Sequence, residues 1–229
     1  MQSIQLMVGY FLHADDVLRR RPWTTQADRQ WTVLACLAGY VVVFGATYGC
    51  VMGTLGGMSS DRWLQIAYAG IKVPILLVAT FAVSLPSFYV VNMLFGLHRD
   101  FTKALRGLVA AQAGLAIILS SAAPFTALWY ATTVTYQHAL LFNAVMFPVA
   151  SVSAQRLLWG YYRPLIATNP NHRVLAWMWL VVYALVGIQM GWILRPFVGS
   201  PNDEVEFFRS DAFQQNAYEV VARLVWNLF

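Results

Sequence analysis

The feature that most constrains this chain is a run from residue 73 to residue 97 that contains no charged side chain. About 20 apolar helical residues cross the ~30 Å hydrocarbon layer of a bilayer, so this run is long enough to span a membrane. Pro86, in its middle, lacks a backbone donor, and nearby hydroxyl and amide side chains offer compensating hydrogen bonds. The run predicts a kinked membrane helix whose polar side faces protein rather than lipid.

The composition indicates a membrane location for the rest of the chain as well. Charged residues make up 11% of the sequence and apolar residues 59%, with a mean hydropathy of +0.56. Soluble domains are about one-quarter charged. The net charge of +5 does not indicate nucleic-acid binding, because basic residues first determine how a membrane protein is oriented. We predict an all-α, polytopic transmembrane helical bundle of about five spans.

Hydropathy and turn residues divide the chain into three parts. An N-terminal cytoplasmic or interfacial segment covers residues 1–30, the transmembrane bundle covers 31–195, and an extracytoplasmic amphipathic segment covers 196–229. The predicted spans are residues 31–54, 73–97, 107–129, 138–158 and 174–194. Residues 62–69 are expected near the interface, followed by Lys72, whose ammonium would snorkel to the headgroups. Pro164 and Pro170 predict a broken basic loop over residues 163–173.

The distribution of positive charge predicts the orientation of the bundle. With five spans, ten of the fifteen Lys and Arg residues fall on the side of the N-terminus. The positive-inside rule then places the N-terminus in the cytoplasm and the C-terminus outside, in a bacterial cytoplasmic (inner) membrane.

Two sequence features near the N-terminus each allow two interpretations. Arg19, Arg20 and Arg21 either belong to a solvated tail that only sets orientation, or form a docking element near lipid phosphates or a partner. Gly45 and Gly49 have G-x-x-x-G spacing, which favours close helix packing either within the chain or in a dimer.

The distribution of chemically reactive residues argues against an enzyme and against ion-coupled transport. Every Asp and Glu lies outside the predicted spans, whereas ion-coupled transporters place acidic groups at mid-membrane depth. The histidines and cysteines show no metal-binding spacing, and the sequence lacks nucleophile and nucleotide-binding motifs. We therefore expect no catalytic residue, metal or cofactor, with one alternative: His138 as a ligand to haem or a pigment.

Polar residues within or beside the spans are the remaining candidates. We expect these residues either to form interhelical hydrogen bonds or to line a polar cavity. They are Thr80, Ser84, Asn92, Asn143 and Gln189. Residues 189–201 combine an interfacial Trp192 with Arg195, a proline and Phe197. This run ends the fifth span, or it presents Trp192, Arg195 and Phe197 to a partner or an anionic lipid.

A resemblance rests on two blocks of the sequence. One is Lys72-x-Pro74 ahead of an apolar run with Leu85-Pro86-Ser87, Asn92 and Gly96; the other is the run of residues 189–201 with Phe207-Phe208-Arg209. Together they resemble uncharacterised small bacterial multi-pass membrane proteins, and residues of spans two to four are distantly similar to the Yip1-like membrane family. The resemblance implies a five-span bundle without established chemistry.

These observations lead to one functional hypothesis and two alternatives. We expect a non-catalytic membrane subunit that scaffolds, assembles or regulates a larger membrane complex, with lipids and other membrane subunits as partners. The first alternative is a facilitator or channel for a small neutral or lipid-like solute. The second is a pigment- or haem-binding subunit.

Overall fold

The computed structural model describes residues 14–21, 24, 30–55, 62–132, 135–200, 205–209, 212–213 and 216–219. Its long elements are all helices: α1 (Gln30–Met52), α2 (Trp63–Leu94), α3 (Phe101–Thr132), α4 (Tyr136–Thr168) and α5 (Asn171–Ile193). A short 3₁₀ turn, His98–Asp100, precedes α3. All five helices are long and apolar enough to cross a membrane. The predicted all-α, multi-pass bundle is confirmed.

Three of the helices extend well beyond the predicted spans. Helix α2 begins at Trp63, so residues 63–69 are continuous with the second span, and their place near the interface stays a prediction. The expected loop at residues 163–173 is also wrong at both ends, since α4 continues through Pro164 to Thr168 and α5 begins at Asn171. A proline removes only one backbone donor, so a helix that packs against its neighbours can continue through it. The 33 residues of α4 extend about 50 Å, which exceeds the hydrocarbon thickness of ~30 Å.

The helices form a bundle with α1 packed between α2 and α3. Helix α3 also packs on α4, and α2 packs on α5, whereas α4 and α5 contact each other sparsely. We call the bundle end with the starts of α1, α3 and α5 the N-terminal face, and the opposite end the C-terminal face. The order of contacts leaves α4 and α5 at the edges of the bundle.

Glycines bring the backbones of α1 and α2 into direct contact. A Cβ added at Gly49 would lie 2.9 Å from the carbonyl carbon of Ala69, and one at Gly53 would lie 2.7 Å from the Cα of Ile66. Gly45 faces the same helix, where its added Cβ would be in ordinary contact with a side chain. The G-x-x-x-G spacing is therefore used within the chain, as the first of its two interpretations predicts.

The N-terminal segment packs on the bundle instead of forming a solvated tail. Residues 14–18 are helical, and Ala14 and Val17 belong to the main apolar core. The hydroxyl of Tyr161 on α4 donates a hydrogen bond of 3.1 Å to the carbonyl of Val17. The solvated-tail interpretation is wrong for these residues, because their apolar side chains find a place against α3 and α4. The apolar residues 4–12 lie outside the described residues, as does most of the predicted amphipathic segment 211–229.

Candidate functional site

The C-terminal face is covered by a segment that we call the strap, residues 194–200 and 205–209. It begins where α5 ends. Two of its side chains are buried: Leu194 is 3% exposed and Val198 is 1% exposed. The expected termination of the fifth helix in this run is confirmed, since α5 ends at Ile193. From there the chain runs across the first half of α2. The strap is the most extensive irregular segment in the described part of the bundle.

Three side chains, one just before α2 and two in its first three turns, bind backbone carbonyls of the strap. Arg62 Nη2 donates to the carbonyl of Ser200 at 2.6 Å, and Gln65 Nε2 donates to that of Phe197 at 3.1 Å. Lys72 Nζ donates to the carbonyl of Pro196 at 2.7 Å. Non-helical carbonyls that are buried against a helix need such donors, because an unpaired buried backbone group destabilises the fold. The order of the contacts shows that residues 196–200 of the strap run antiparallel to α2.

Lys72 is fully buried, which corrects the expectation that it snorkels to the headgroups. Its exposure is 0%, and its Nζ lies 4.9 Å from the ring centroid of Phe207 and 3.5 Å from the carbonyl of Glu206. Carbonyl oxygens and an aromatic face together replace the hydration of the ammonium. The lysine therefore binds the strap to α2 instead of reaching the membrane surface.

The predicted docking residues of the strap already have contacts within the chain. The guanidinium carbon of Arg195 lies 3.4 Å from the centroid of the Trp192 ring, a cation–π arrangement. Phe197 is half-buried against the apolar core, and its carbonyl accepts the hydrogen bond from Gln65. A docking role for Trp192, Arg195 and Phe197 stays a prediction.

Asn143 joins three helices near the C-terminal face. Its Oδ1 accepts a hydrogen bond of 2.9 Å from the hydroxyl of Tyr48 on α1, and its Nδ2 donates to the hydroxyl of Tyr130 on α3 at 2.5 Å. The Nδ2 also donates to the carbonyl of Ala139 at 2.8 Å. Of the two roles expected for buried amides, Asn143 has that of an interhelical hydrogen-bonding group.

The other four polar candidates lie in different places. Ser84 donates to the carbonyl of Thr80 at 2.7 Å, within α2. Gln189 accepts a hydrogen bond of 3.2 Å from the backbone of Ala217, on the C-terminal side of α5. Asn92 lies near the other end of α2, fully buried, and its amide atoms have no hydrogen-bond partner in the described part of the chain. Among the described residues, no hydrogen-bond network joins these five side chains, and the facilitator alternative stays a prediction.

A buried amide that was not among the predicted site residues connects α2, α3 and α5. Gln112 on α3 donates to the carbonyl of Leu77 on α2 at 3.0 Å, and accepts a hydrogen bond of 2.8 Å from Tyr183 on α5. The sequence signal that could have identified Gln112 is the presence of an amide side chain in the middle of an uncharged span. Its partners are separated from it by 35 and 71 positions, so hydropathy does not reveal them.

The N-terminal face contains a buried histidine that the sequence analysis placed in a loop. His172 lies in the first turn of α5, which begins at Asn171, and it is fully buried. Its Nε2 is 3.6 Å from Asp100 Oδ2. Asp100 also pairs with Lys103 at 3.0 Å. His138, the predicted haem or pigment ligand, is exposed in the first turn of α4, and this role stays a prediction. Among the described residues, no group of three or more His, Cys, Asp or Glu side chains could hold a metal ion.

The three adjacent arginines of the N-terminal segment have different surroundings. Arg19 pairs with Asp15 at 2.6 Å, and Arg21 lies 3.6 Å from Asp16. Arg20 adopts a positive φ of 56° and lies over Gly160 of α4. The predicted docking arginines thus comprise two that are paired with acids and one that points to the bundle.

Comparison with known proteins adds no family to these observations. The resemblance noted from the sequence therefore stays a prediction. No family model, no curated protein and no solved structure matches this chain.

Proposed function

We propose that this chain is a non-catalytic subunit that assembles with another membrane protein through the outward surfaces of α4 and α5. The supporting observation is the uneven burial of the five helices. In the most apolar window of each helix, 61% of the residues are buried in α3, but only 22% in α4 and 17% in α5. Helices at the edge of a bundle are the ones available for packing with another protein.

The side chains on these surfaces suit helix packing. On α4, Val145, Val149 and Val152 are each more than half exposed, at spacings of four and three residues. On α5, Val181 and Ile188 are likewise exposed and are seven residues apart. Spacings of three, four and seven place residues on one side of a helix, as in helix pairs that cross at about 20°. In lipid, association depends on such close packing, because apolar side chains gain little simply by leaving acyl chains.

The test is photo-crosslinking in native membranes from matched positions. A photoreactive residue replaces Val149 on α4, Val181 on α5 or, as the control, Val42 on α1, whose exposures are 53%, 55% and 50%. The proposal predicts an adduct of defined mass from Val149 and Val181 and only diffuse lipid labelling from Val42. Diffuse labelling from all three positions, together with a monomer after mild extraction, would contradict it.

We also propose that the bundle lies in a bacterial cytoplasmic membrane with its N-terminal face in the cytoplasm. The support is the excess of basic residues on that side, including Arg99 in the turn before α3. Single cysteines at Arg99 and at Glu206, both exposed, would be labelled on intact cells with an impermeant maleimide, in a background without Cys36 and Cys50. Position 206 should react and position 99 should react only after permeabilisation; the reverse pattern refutes this orientation.

A further inference from the structure

A cavity of about 370 Å³ lies between residues 18–20, α3 and the half of α4 that is nearer the N-terminal face. Three arginines contribute to its wall: Arg20 from the N-terminal segment, and Arg156 and Arg163 from α4. Ser153 and Gly160 of α4 complete the polar side. The cavity is separate from the strap and from the buried amides described above.

The sequence of α4 positions these groups on one side of the helix. Ser153, Arg156, Gly160 and Arg163 follow one another at intervals of three, four and three residues, which is the spacing of a single helix face. Gly160 makes room for the third arginine, because a Cβ there would lie 2.7 Å from Arg20 Cζ. A residue with a side chain at position 160 would therefore displace the guanidinium of Arg20.

The positive charge at the cavity has no acidic partner in the part of the chain that the structure describes. Among the described residues, no carboxylate forms an ion pair with Arg20, Arg156 or Arg163, whereas the neighbouring Arg19 and Arg21 are paired with acids. Three guanidinium groups around one cavity repel one another in the absence of an anion. Guanidinium groups bind phosphate through two parallel hydrogen bonds, so a phosphate is an anion that suits this cluster.

The other side of the cavity is apolar. Leu18, Ile118, Leu157 and the indole of Trp159 line it. Arg156 is twenty residues from Tyr136, the first residue of α4, which corresponds to about 30 Å along the helix. With one membrane boundary taken at Tyr136, this distance brings Arg156 to the other edge of a ~30 Å hydrocarbon layer, and Arg163 lies about 10 Å further out. Tryptophan is enriched at such a boundary.

We propose that this cavity binds the headgroup phosphate of an acidic phospholipid, with the acyl chains along its apolar side. The three arginines hold the phosphate, and Ser153 offers a hydroxyl donor. This lipid site goes beyond the assembly role proposed above and does not require it, since an isolated copy of the chain contains the whole cavity.

The experiment measures lipid binding to the full-length chain in detergent by native mass spectrometry. Dioleoyl phosphatidylglycerol is compared with dioleoyl phosphatidylcholine, which has the same acyl chains but no net charge. We expect one phosphatidylglycerol to bind at least tenfold more tightly than phosphatidylcholine. Equal binding of the two lipids would overturn the proposal.

Two variants and a charge-matched control locate the binding. The double variant Arg156→Gln, Arg163→Gln should weaken phosphatidylglycerol binding about 30-fold. This factor corresponds to the loss of two positive charges that each attract the anionic lipid. Gly160→Leu, which keeps the net charge but fills the cavity, should also weaken it. The control Arg19→Gln, Arg21→Gln removes two charges outside the cavity and should change little. If the control weakens binding as much as the cavity variants, the attraction is non-specific and the assignment is wrong.

A competition arm distinguishes a lipid from a soluble phosphate compound. Glycerol 3-phosphate presents a similar phosphate without acyl chains. We expect it not to displace the lipid at millimolar concentration, because the apolar side of the cavity contributes to binding. Displacement at that concentration would show that the cavity holds a soluble phosphate, and the lipid proposal would fail.

Discussion

The substitution Lys72→Met tests whether this buried lysine holds the strap on α2. Methionine keeps a long unbranched side chain but removes the donor to the carbonyl of Pro196, the longer contact with Glu206 and the cation over Phe207. The Pro196 carbonyl is then left without this charged donor.

The magnitude follows from those lost contacts. A hydrogen bond to a charged group contributes about 1.5–3 kcal/mol, and a desolvated cation–π contact about 2 kcal/mol. The cost of keeping the ammonium away from water offsets part of this sum. We expect a net loss of about 2 kcal/mol, which corresponds to an approximately 30-fold larger population of the open strap.

Lys103 provides the matched control, since Lys72 and Lys103 are the two lysines of the chain. The Lys103 side chain is 69% exposed and pairs with Asp100 at 3.0 Å on the opposite face of the bundle. An exposed pair of this kind contributes about 0–1 kcal/mol, so Lys103→Met should not affect the strap.

Hydrogen exchange followed by mass spectrometry gives the readout, on the chain in detergent or nanodiscs. The peptide that contains residues 194–200 should exchange about 30-fold faster in Lys72→Met, because exchange reports the population of the locally open state. Peptides from α3 should be unchanged. If residues 194–200 exchange at the wild-type rate in Lys72→Met, or equally fast in Lys103→Met, the role of Lys72 in holding the strap is refuted.

Three further predictions concern packing and burial. Gly49→Ala should destabilise the bundle by about 1–3 kcal/mol, because the added methyl group overpacks α1 against α2. The control is Gly191→Ala, where an added Cβ meets nothing within 4 Å, and it should be neutral or stabilising. Thermal unfolding in detergent compares the two variants. Asn143→Leu should lower stability by about 1–3 kcal/mol in the same assay, because it removes the amide that hydrogen-bonds to the hydroxyls of Tyr48 and Tyr130. An unchanged unfolding temperature would contradict this. An amine-reactive reagent should modify Lys103 but not Lys72 in the folded chain, as read by peptide mass spectrometry; equal modification would show that Lys72 is accessible.

The sequence by itself determined the class of fold and the number of long helices. Hydropathy is a property of consecutive residues, and an apolar run in lipid must satisfy its backbone hydrogen bonds internally, so a helix follows directly. The positions of the helix ends were less accessible to this reasoning. Pro164 was interpreted as part of a loop, but α4, which packs on α3, continues through it.

The sequence also identified polar residues within the spans as candidates for specific interactions, but it did not identify their partners. Asn143 was expected to form interhelical hydrogen bonds, and it does so with Tyr48, 95 positions away. Lys72 was expected to reach the headgroups by the shortest path. Its actual partner, the carbonyl of Pro196, is 124 positions away and becomes available only when α5 packs on α2.

Tertiary structure alone decided how the charged groups are used. Three consecutive arginines look equivalent in sequence, yet only Arg20 meets Gly160 and joins Arg156 and Arg163 at one cavity. Which side chains become neighbours depends on the order in which helices pack, and that order is set by fits such as Gly49 against Ala69 rather than by hydropathy. Apolar length therefore accounts for the spans of this protein, and helix packing accounts for its candidate sites.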